Sequence, residues 1–443
     1  MDRKEIGEVV NEIKFVVDRW RKRPGSFAID SSLMPERVER CGLAKFSGWM
    51  LFCIALCAWG LVSAFLCLWL GLNQTGMNDY FPFGLWIVFD LAVIALGAGA
   101  FFTGFLTYIL RKHELKAIIN CAVIVGFICY SGAILMLGVD IGQPIRGWFG
   151  FWHANVHSML TEVMFCITTY LIVLTIEYVP LIFENRKLDR IPELHLFGHN
   201  LHSIMIVFAG VGTFLSFFHQ GSLGGMYGVL YARPFAYRTG FMIWPWTFFL
   251  FVFSAIASGP AFTALITYIT QKVSGKQLVN RSVLSLMGKI AGGLLAAYMV
   301  VKIADTIYWA TVTAPSMGQS LWDFYRDGPY GIWLMVAELG IFGIVPAVIL
   351  LIPKARENDA WLISACAMNC IGIVLNRFVF VVQAMAIPVL PFEKFLGYLP
   401  TWQEWGISFG MVGYGLIVFS LSYRYLPVFP QENDLNYAQG GPR

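Results

Sequence analysis

Charged residues are scarce in this chain. Only 13% of its 443 residues are Asp, Glu, Lys or Arg, whereas 58% are hydrophobic. A soluble domain carries roughly one quarter charged residues, so this composition excludes an ordinary soluble protein. The basic residues are scattered over six segments, and the net charge of +4 therefore gives no indication of nucleic-acid binding.

Clustered cysteines are also lacking. The nine cysteines lie almost entirely in apolar runs, and the close pairs, Cys53/Cys57 and Cys366/Cys370, are four residues apart. Iron–sulfur clusters need four thiolates at a tighter spacing on loops. We therefore expect no metal and no disulfide in this chain.

We also expect no cleavable signal peptide, because a charged tail of 46 residues precedes the first apolar run.

Long apolar stretches are what the chain has. Ten of them reach the length of about 20 residues that a helix needs to cross a bilayer. They are centred on 47–71, 84–110, 117–139, 155–182, 200–218, 241–271, 283–312, 330–352, 359–382 and 403–425. The predicted fold class is an all-α polytopic membrane protein with ten transmembrane helices.

The distribution of Lys and Arg predicts the orientation. The two tails and the even-numbered loops hold 22 of these residues, and the odd-numbered loops hold 5. Because positive residues favour the cytoplasmic side, both termini are predicted to be cytoplasmic.

The N-terminal tail has an amphipathic pattern. Its apolar residues recur at helical spacing among Lys and Arg: Ile6, Val9, Val10, Ile13, Val16, Val17 and Trp20. This pattern predicts a helix on the inner membrane surface, either as an interfacial anchor or as a docking site for a cytoplasmic partner.

An internal repeat predicts two related halves. Residues 81–120 align without a gap with residues 241–280, and thirteen of forty positions match, including Trp86/Trp246 and Gly99/Gly259. The copies begin four spans apart and so run in the same direction, which indicates two parallel-related four-helix bundles. From the N-terminus, the predicted organisation is a cytoplasmic tail (1–46), the first span and outer loop (47–80), the first bundle (81–240), the second bundle (241–402), and the tenth span with a cytoplasmic tail (403–443).

Ionisable residues inside the spans are candidate site residues, because each is costly in lipid. Nearly all are predicted in the outer half of the membrane: Asp90, His153, Asn155, His157, Ser158, Glu162, His219, Gln220, Lys302, Asp305, Glu338, Arg377 and Glu404. Asn155, Ser158 and Glu162 share one face of the predicted fourth span, and His153 and His157 share another. We expect the first face to line a polar pocket, with the histidines at its mouth and His219 and Gln220 closing the fifth span.

Structural readings compete with functional ones at several of these positions. Lys302 and Asp305 are three residues apart and are suited to neutralise each other, and Arg377 is suited to clamp Glu338. The two histidines are equally suited to a plain interfacial hydrogen bond. Asp90 and Glu162 have no cation nearby on their own helix and are the stronger candidates.

An outer polar pocket suits quinone chemistry. Quinone turnover moves two electrons and two protons, so it needs hydrogen-bond donors at the carbonyls and a proton route. Two alternatives stay open. The repeat and the buried charges also fit a proton- or ion-translocating carrier, and His157 with His219 would be a weak axial pair for haem b.

Six motifs together resemble the polysulfide reductase membrane-subunit family, known as NrfD-like, and most closely its HybB/DsrP/QrcD-like branch. They are FPFGLWIVFD (81–90), VDIGQP (139–144), HANVHSMLTE (153–162), IEYVPLIFE (176–184), FHQGSLG (218–224) and LPTWQEW (399–405). The resemblance implies a subunit of an anaerobic respiratory complex in a prokaryotic cell (inner) membrane. It implies binding of menaquinone or ubiquinone near the outer face and an extracytoplasmic ferredoxin-like iron–sulfur subunit as partner, with other membrane and cytoplasmic subunits.

The resemblance and the pattern together assign roles. We predict catalytic roles for Asp90, Glu162 and His157. We predict quinone-binding roles for His153, Asn155, Ser158, Asp140, His219, Gln220, Arg377 and Glu404, and a proton path through Glu338, Lys302 and Asp305.

Overall fold

The computed structural model describes residues 30, 33–35, 38–230, 236–238, 240–241, 244–327, 331–386 and 397–429. Ten helices in this part of the chain are long and apolar enough to cross a membrane. In chain order they are α1 (Leu43–Leu70), α2 (Leu85–Ile109), α3 (His113–Asp140), α4 (Met159–Phe183), α5 (Met205–Gly228), α6 (Trp246–Ser274), α7 (Arg281–Ser316), α8 (Gly331–Leu351), α9 (Asp359–Ala386) and α10 (Trp402–Tyr425). The predicted ten-helix, all-α membrane fold is confirmed. The amphipathic pattern of residues 6–20 lies outside the described residues.

The helices pack as two rings and a flanking pair. Helix α2 contacts α3 and α5, and α4 joins α3 to α5; in the second half α6, α7, α8 and α9 contact one another in the same cyclic order. The pair α1 and α10 packs together and lies against α2 and α3. The boundaries between the predicted domains stay predictions.

Helices α2 and α6 form the centre of the protein. In the most apolar 18-residue stretch of α2, 82% of the residues are buried, compared with 22% in the same stretch of α1. The two helices touch at Gly99 and Gly259, where a Cβ atom on Gly259 would lie 2.2 Å from the backbone nitrogen of Gly99. The glycines are therefore required for this close approach, because any side chain would push the two backbones apart.

Among the helix boundaries that differ from the prediction, two change the site. Helix α4 begins at Met159, because Ser158 is extended and the Asn155 side chain accepts a hydrogen bond from the His157 amide, which closes a turn. Asn155, Ser158 and Glu162 are therefore not three positions of one helix face. Helix α5 continues to Gly228, ten residues beyond the predicted end at 218, so His219 and Gln220 lie inside the helix.

Glycines explain why α5 continues. Gly221, Gly224 and Gly228 face α6 so closely that added Cβ atoms would overlap Phe248, the Thr247 carbonyl and the Thr247 side chain, respectively. Tight packing stabilises a glycine-rich helix that local propensity would disfavour.

Several spans contain π-helical turns. These turns lie at Phe105–Ile109 in α2, Trp309–Thr313 in α7, Val336–Ile344 in α8 and Val379–Gln383 in α9. Such turns frequently occur at functional sites. Residues 30 and 429, the first and last that the structure describes, lie at one end of the helices, which we call the tail end. The opposite end, where α2 and α4 begin, is the distal end, predicted to be extracytoplasmic.

Candidate functional site

Two carboxylates meet near the distal ends of α2 and α3. The indole nitrogen Nε1 of Trp86 donates a hydrogen bond to Oδ1 of Asp140 at 2.8 Å. Asp90 lies one turn below Trp86 on α2, is buried, and is close enough to Asp140 for the two charges to interact. Its Oδ1 atom has no hydrogen-bond partner among the described residues. An unpaired carboxylate oxygen is costly to bury, so this position calls for a proton or a hydrogen-bonding ligand.

Tyr227 completes this cluster from α5. Its hydroxyl group is buried without a hydrogen-bond partner in the described part of the chain. The hydroxyl lies within electrostatic range of Asp140, Asp90 and Arg377. Tyr227 is absent from the predicted site because the predicted fifth span ends at 218. With α5 continued to 228, its position seven residues after Gln220 places both on one helix face.

Arg377 links the cluster to the second half of the chain. It is completely buried, and its guanidinium lies 3.6 Å from the centre of the Phe251 ring. It donates hydrogen bonds to Oδ1 of Asn376 at 2.8 Å and to Oγ of Ser254 at 3.1 Å. The expected clamp between Arg377 and Glu338 is indirect, since it is Asn376 that donates to Glu338, at 2.7 Å.

Glu338 has a cation as well. The Lys302 ammonium lies 3.9 Å from Oε1 of Glu338, and both side chains are buried. Asp305 instead accepts two hydrogen bonds from Arg238, at 2.9 and 3.2 Å. The reading in which Lys302 and Asp305 neutralise each other is therefore wrong: residues three apart on a helix are neighbours, but each here finds a better partner on another element.

A small cavity adjoins Glu338. Its volume is about 20 Å³, and its polar lining comes from Ser254, Tyr298, Glu338, Asn369 and Asn376. This volume is sufficient for one water molecule. The cavity lies beside the π-helical turn of α8, and together these features give the second half its own buried polar network.

His219, Gln220 and Glu162 lie at the contact between α4 and α5. The His219 ring is fully buried, 5.7 Å from the ring of Tyr130, whose hydroxyl forms a 2.8 Å hydrogen bond with Ser216. Neither ring nitrogen of His219 has a hydrogen bond of normal geometry within the described chain, although the Val163 backbone lies beside the ring.

Glu162 faces a neighbouring helix rather than Asp90. Its half-buried carboxylate lies near the hydroxyl of Ser222 on α5. Because α5 supplies both Ser222 and Tyr227, that helix connects Glu162 to the Asp90 cluster.

The remaining predicted residues of the motif at 153–162 lie nearer the surface. His153, Asn155 and His157 are exposed in the non-helical segment before α4, and Ser158 is half-buried at the helix start. The structure does not bring them together with Asp90.

Glu404 binds the distal loops together. Its carboxylate accepts hydrogen bonds from the backbone nitrogens of Gly76, Leu85 and Thr401 at 2.8 to 3.1 Å, and from the hydroxyl of Tyr398. These donors occupy both oxygens, which favours a structural role over the predicted quinone contact.

Comparison with known proteins identifies relatives over most of the chain. The model of the family described as "Polysulphide reductase, NrfD" matches residues 73–389. The menaquinone reductase integral membrane subunit of Nitratidesulfovibrio vulgaris is 58% identical over 409 residues, covering 92% of this chain and 98% of that protein. A selenate reductase subunit of Mesobacillus selenatarsenatis is 22% identical over 86% of this chain and 94% of its own length. The probable Ni/Fe-hydrogenase 2 b-type cytochrome subunit of Escherichia coli is 23% identical over 82% of this chain and 88% of its own.

The match to the family model extends from the loop before α2 to the end of α9, and it includes Asp90, Asp140, Tyr227 and Arg377. The expected family resemblance is confirmed. This ten-helix membrane protein belongs to the NrfD family.

Proposed function

We propose that this chain is the quinone-binding integral membrane subunit of a respiratory electron-transfer complex. It would exchange electrons between menaquinone, or ubiquinone, near the outer face and an extracytoplasmic iron–sulfur subunit. The observation that supports this most is the cluster of Asp90, Asp140, Tyr227 and Arg377, in which three buried polar atoms, Oδ1 of Asp90, the Tyr227 hydroxyl and Nε of Arg377, lack hydrogen-bond partners in the described chain. The relative that is 58% identical is a menaquinone reductase subunit, which favours menaquinone.

The residues of the cluster suit this chemistry. A bound quinone takes up two electrons and, at its carbonyl oxygens, two protons. Asp90 would supply or accept a proton, and the hydroxyl of Tyr227 would donate a hydrogen bond to a carbonyl oxygen. Trp86 holds Asp140 in place, and the positive charge of Arg377 would favour the reduced ligand electrostatically. Buried groups that are unpaired in the free protein thereby gain partners on binding.

Glu162 and His157 would act further out. Glu162 is half-buried between α4 and α5, and His157 is exposed at the distal end. In this proposal they form a proton route between the cluster and the surface, and His219 and Gln220 line the same α4–α5 contact.

Substitution in the purified complex tests the proposal. We expect Asp90→Asn to reduce quinone-linked turnover at least tenfold, with a smaller loss for Glu162→Gln, because an amide cannot transfer the proton. Dye-linked activity of the partner subunits should stay unchanged. Asp79→Asn, which neutralises an exposed carboxylate at the same end, is the matched control. Unchanged quinone turnover in both site variants would contradict the proposal.

Proton translocation through the second half is a second candidate function. The buried chain Lys302, Glu338, Asn376 and Arg377, together with a cavity large enough for water, favours it. In proteoliposomes, Glu338→Gln would lower the number of protons moved per electron while Asp90→Asn would stop both processes. An unchanged proton count would exclude this path.

A haem b cytochrome is less well supported. The name of the Escherichia coli relative favours it. The geometry does not, since His157 is exposed in a non-helical segment and His219 is buried in the core. A reduced-minus-oxidised spectrum of the isolated chain distinguishes the two, because a haem band would support the cytochrome.

A further inference from the structure

The segment between α3 and α4 has an unusual surface. We call residues 141–158 the distal segment. Large apolar side chains in it are exposed: Ile145 and Val156 at 87%, Trp152 at 76% and Trp148 at 53%. Arg146 is its only Lys, Arg, Asp or Glu. A patch of this kind on a loop needs a partner surface, because exposed aromatic and aliphatic groups are costly in water.

The packing of the segment shows where it lies relative to the membrane helices. Its short helix, Phe149–Trp152, contacts α4 instead of rising away from it. A Cβ atom on Gly150 would lie 2.4 Å from Cε of Met164, and the Phe151 ring packs edge-on against Phe165 with centroids 5.1 Å apart. Met164 and Phe165 follow the start of α4 by five and six residues, which is about 8 Å along the helix. The segment therefore folds down beside the second turn of α4.

Its exposed face continues the apolar surface of α4. Leu160, Phe165 and Ile172 are exposed along that helix, and their side chains belong to the belt expected to contact lipid. Gly142 and Gly150 of the segment face Leu72 and Met164, whereas Trp148 and Trp152 face outward. Trp is enriched where a protein meets the headgroup region, and a lone Arg reaches from there to lipid phosphates.

We propose that the distal segment is a membrane-interfacial element, inserted beside α4 into the leaflet at the distal end, with the lipid surface as its occupant. His153 and His157 would then lie at headgroup level. The continuity of its apolar face with α4 and its packing one to two turns below the start of that helix favour lipid over a protein partner, which would contact loops that rise above the bundle.

Tryptophan fluorescence tests this placement in the full chain, reconstituted in vesicles of phosphatidylcholine and phosphatidylglycerol. Acyl chains brominated near the headgroup quench tryptophans at shallow depth. The chain has fifteen tryptophans, so we expect Trp152→Phe to remove about one fifteenth of the tryptophan emission, from the component that the shallow bromine atoms quench. The emission that iodide quenches from the water should not fall. Trp309→Phe, which removes a buried tryptophan, is the matched control and should leave the shallow component unchanged.

A second variant probes the packing. Phe151→Asp would remove the ring contact with Phe165 and place a charge against α4, so the segment should lift, shallow quenching should fall and iodide quenching should rise at least twofold. The proposal is overturned if iodide quenches Trp152 in the reconstituted chain while brominated lipid does not. It is equally overturned if Trp152 becomes shielded from iodide only when partner subunits are bound, which would identify the patch as a protein interface.

Discussion

At the scale of single residues, buried polar groups in this protein are of two kinds. Glu404 is completely buried, and both of its oxygens accept hydrogen bonds from donors in the α1–α2 and α9–α10 connections. Asp90 and Tyr227 are equally buried, but each has a polar atom without a partner in the described chain. A satisfied carboxylate stabilises the fold, whereas an unsatisfied group costs free energy that a ligand can offset. Burial and depth in the membrane make all three residues candidates for the site. Their hydrogen bonds distinguish Glu404, to which we assign a structural role, from Asp90 and Tyr227, whose unpaired atoms are available to a ligand.

A substitution at Glu404 tests its structural role. In Glu404→Gln, one oxygen is replaced by an NH₂ group that cannot accept a hydrogen bond, so part of the donor set loses its acceptor. We expect this change to destabilise the distal loops by about 2 kcal/mol, which corresponds to roughly thirtyfold faster hydrogen exchange at the Gly76 and Leu85 amides. Hydrogen exchange followed by mass spectrometry measures this.

Glu357→Gln, at an exposed carboxylate of the tail end, provides the control and should leave those amides unchanged. A loss of quinone turnover with normal exchange at Gly76 and Leu85 would show instead that Glu404 acts on the ligand.

At the scale of helices, the two halves meet at equivalent positions of the repeat. Gly99 and Gly259 occupy the same place in the aligned copies and touch each other across the α2–α6 contact. Contact between equivalent residues is what an approximate two-fold axis between the halves requires. The Asp90 cluster lies distal to this crossing and draws residues from both halves, since Asp90 belongs to the first copy and Arg377 to the second half.

A methyl group at the crossing would separate the helices. We expect Gly259→Ala to destabilise the protein by about 1–3 kcal/mol, because its Cβ would meet backbone atoms of α2 that cannot move independently. Thermal unfolding in detergent measures the loss. Gly293→Ala on α7 is the matched control, since no atom lies within 4 Å of its Cβ position. Equal stability of the two variants would show that the crossing tolerates a wider spacing.

At the scale of the whole molecule, contacts of the segment before α1 with residues after α4 and at the end of α10 hold the tail end of the bundle together. Asp30 accepts hydrogen bonds from Arg424 at 3.0 and 2.6 Å and from the Tyr425 hydroxyl at 2.8 Å. Asn185, after α4, donates to the carbonyl oxygens of Leu33 and Tyr425 at 3.0 and 2.8 Å. Contacts from a segment before α1 to the ends of α4 and α10 join the first and last helices to the first bundle.

The Asp30 contacts predict a pH dependence. The hydrogen bonds from Arg424 lower the pKa of the Asp30 carboxyl below its usual value, despite an opposing contribution from burial. A depressed pKa stabilises the folded state above the ordinary pKa of Asp, about 4, and this stability is lost as the pH falls through the folded value. Asp30→Asn should therefore cost about 1–3 kcal/mol at pH 7, partly because it leaves Arg424 buried without its carboxylate partner.

Unfolding of the reconstituted protein at two pH values measures this effect. The difference between wild type and Asp30→Asn should shrink once the pH is well below 4, where the carboxyl is protonated in both states. A difference that stays constant with pH would show that the contact acts through packing and not through charge.

Individual residues show which parts of the site could be predicted from the sequence and which could not. Asp90 and Asp140 are predicted from burial cost and from family resemblance, and the structure places them together. Tyr227 is missing from the predicted site because the predicted fifth span ends at 218, before the glycine-rich part of α5. Arg238, the partner of Asp305, lies in a loop whose path no pattern predicts. The expected helix face of Asn155, Ser158 and Glu162 is wrong because an Asx turn competes with helix formation there.

The sequence by itself determined the number of membrane helices, the fold class, the family and the repeat. These follow from local properties: apolar length, charge and residue matches at a fixed spacing. The tertiary structure decided which buried charges are paired, where α4 begins and α5 ends, and which polar atoms are left without partners. Those outcomes depend on side chains more than a hundred residues apart, such as Asp90 and Arg377, because the energy of a buried polar group is set by the neighbours that packing brings to it and not by its own position along the chain.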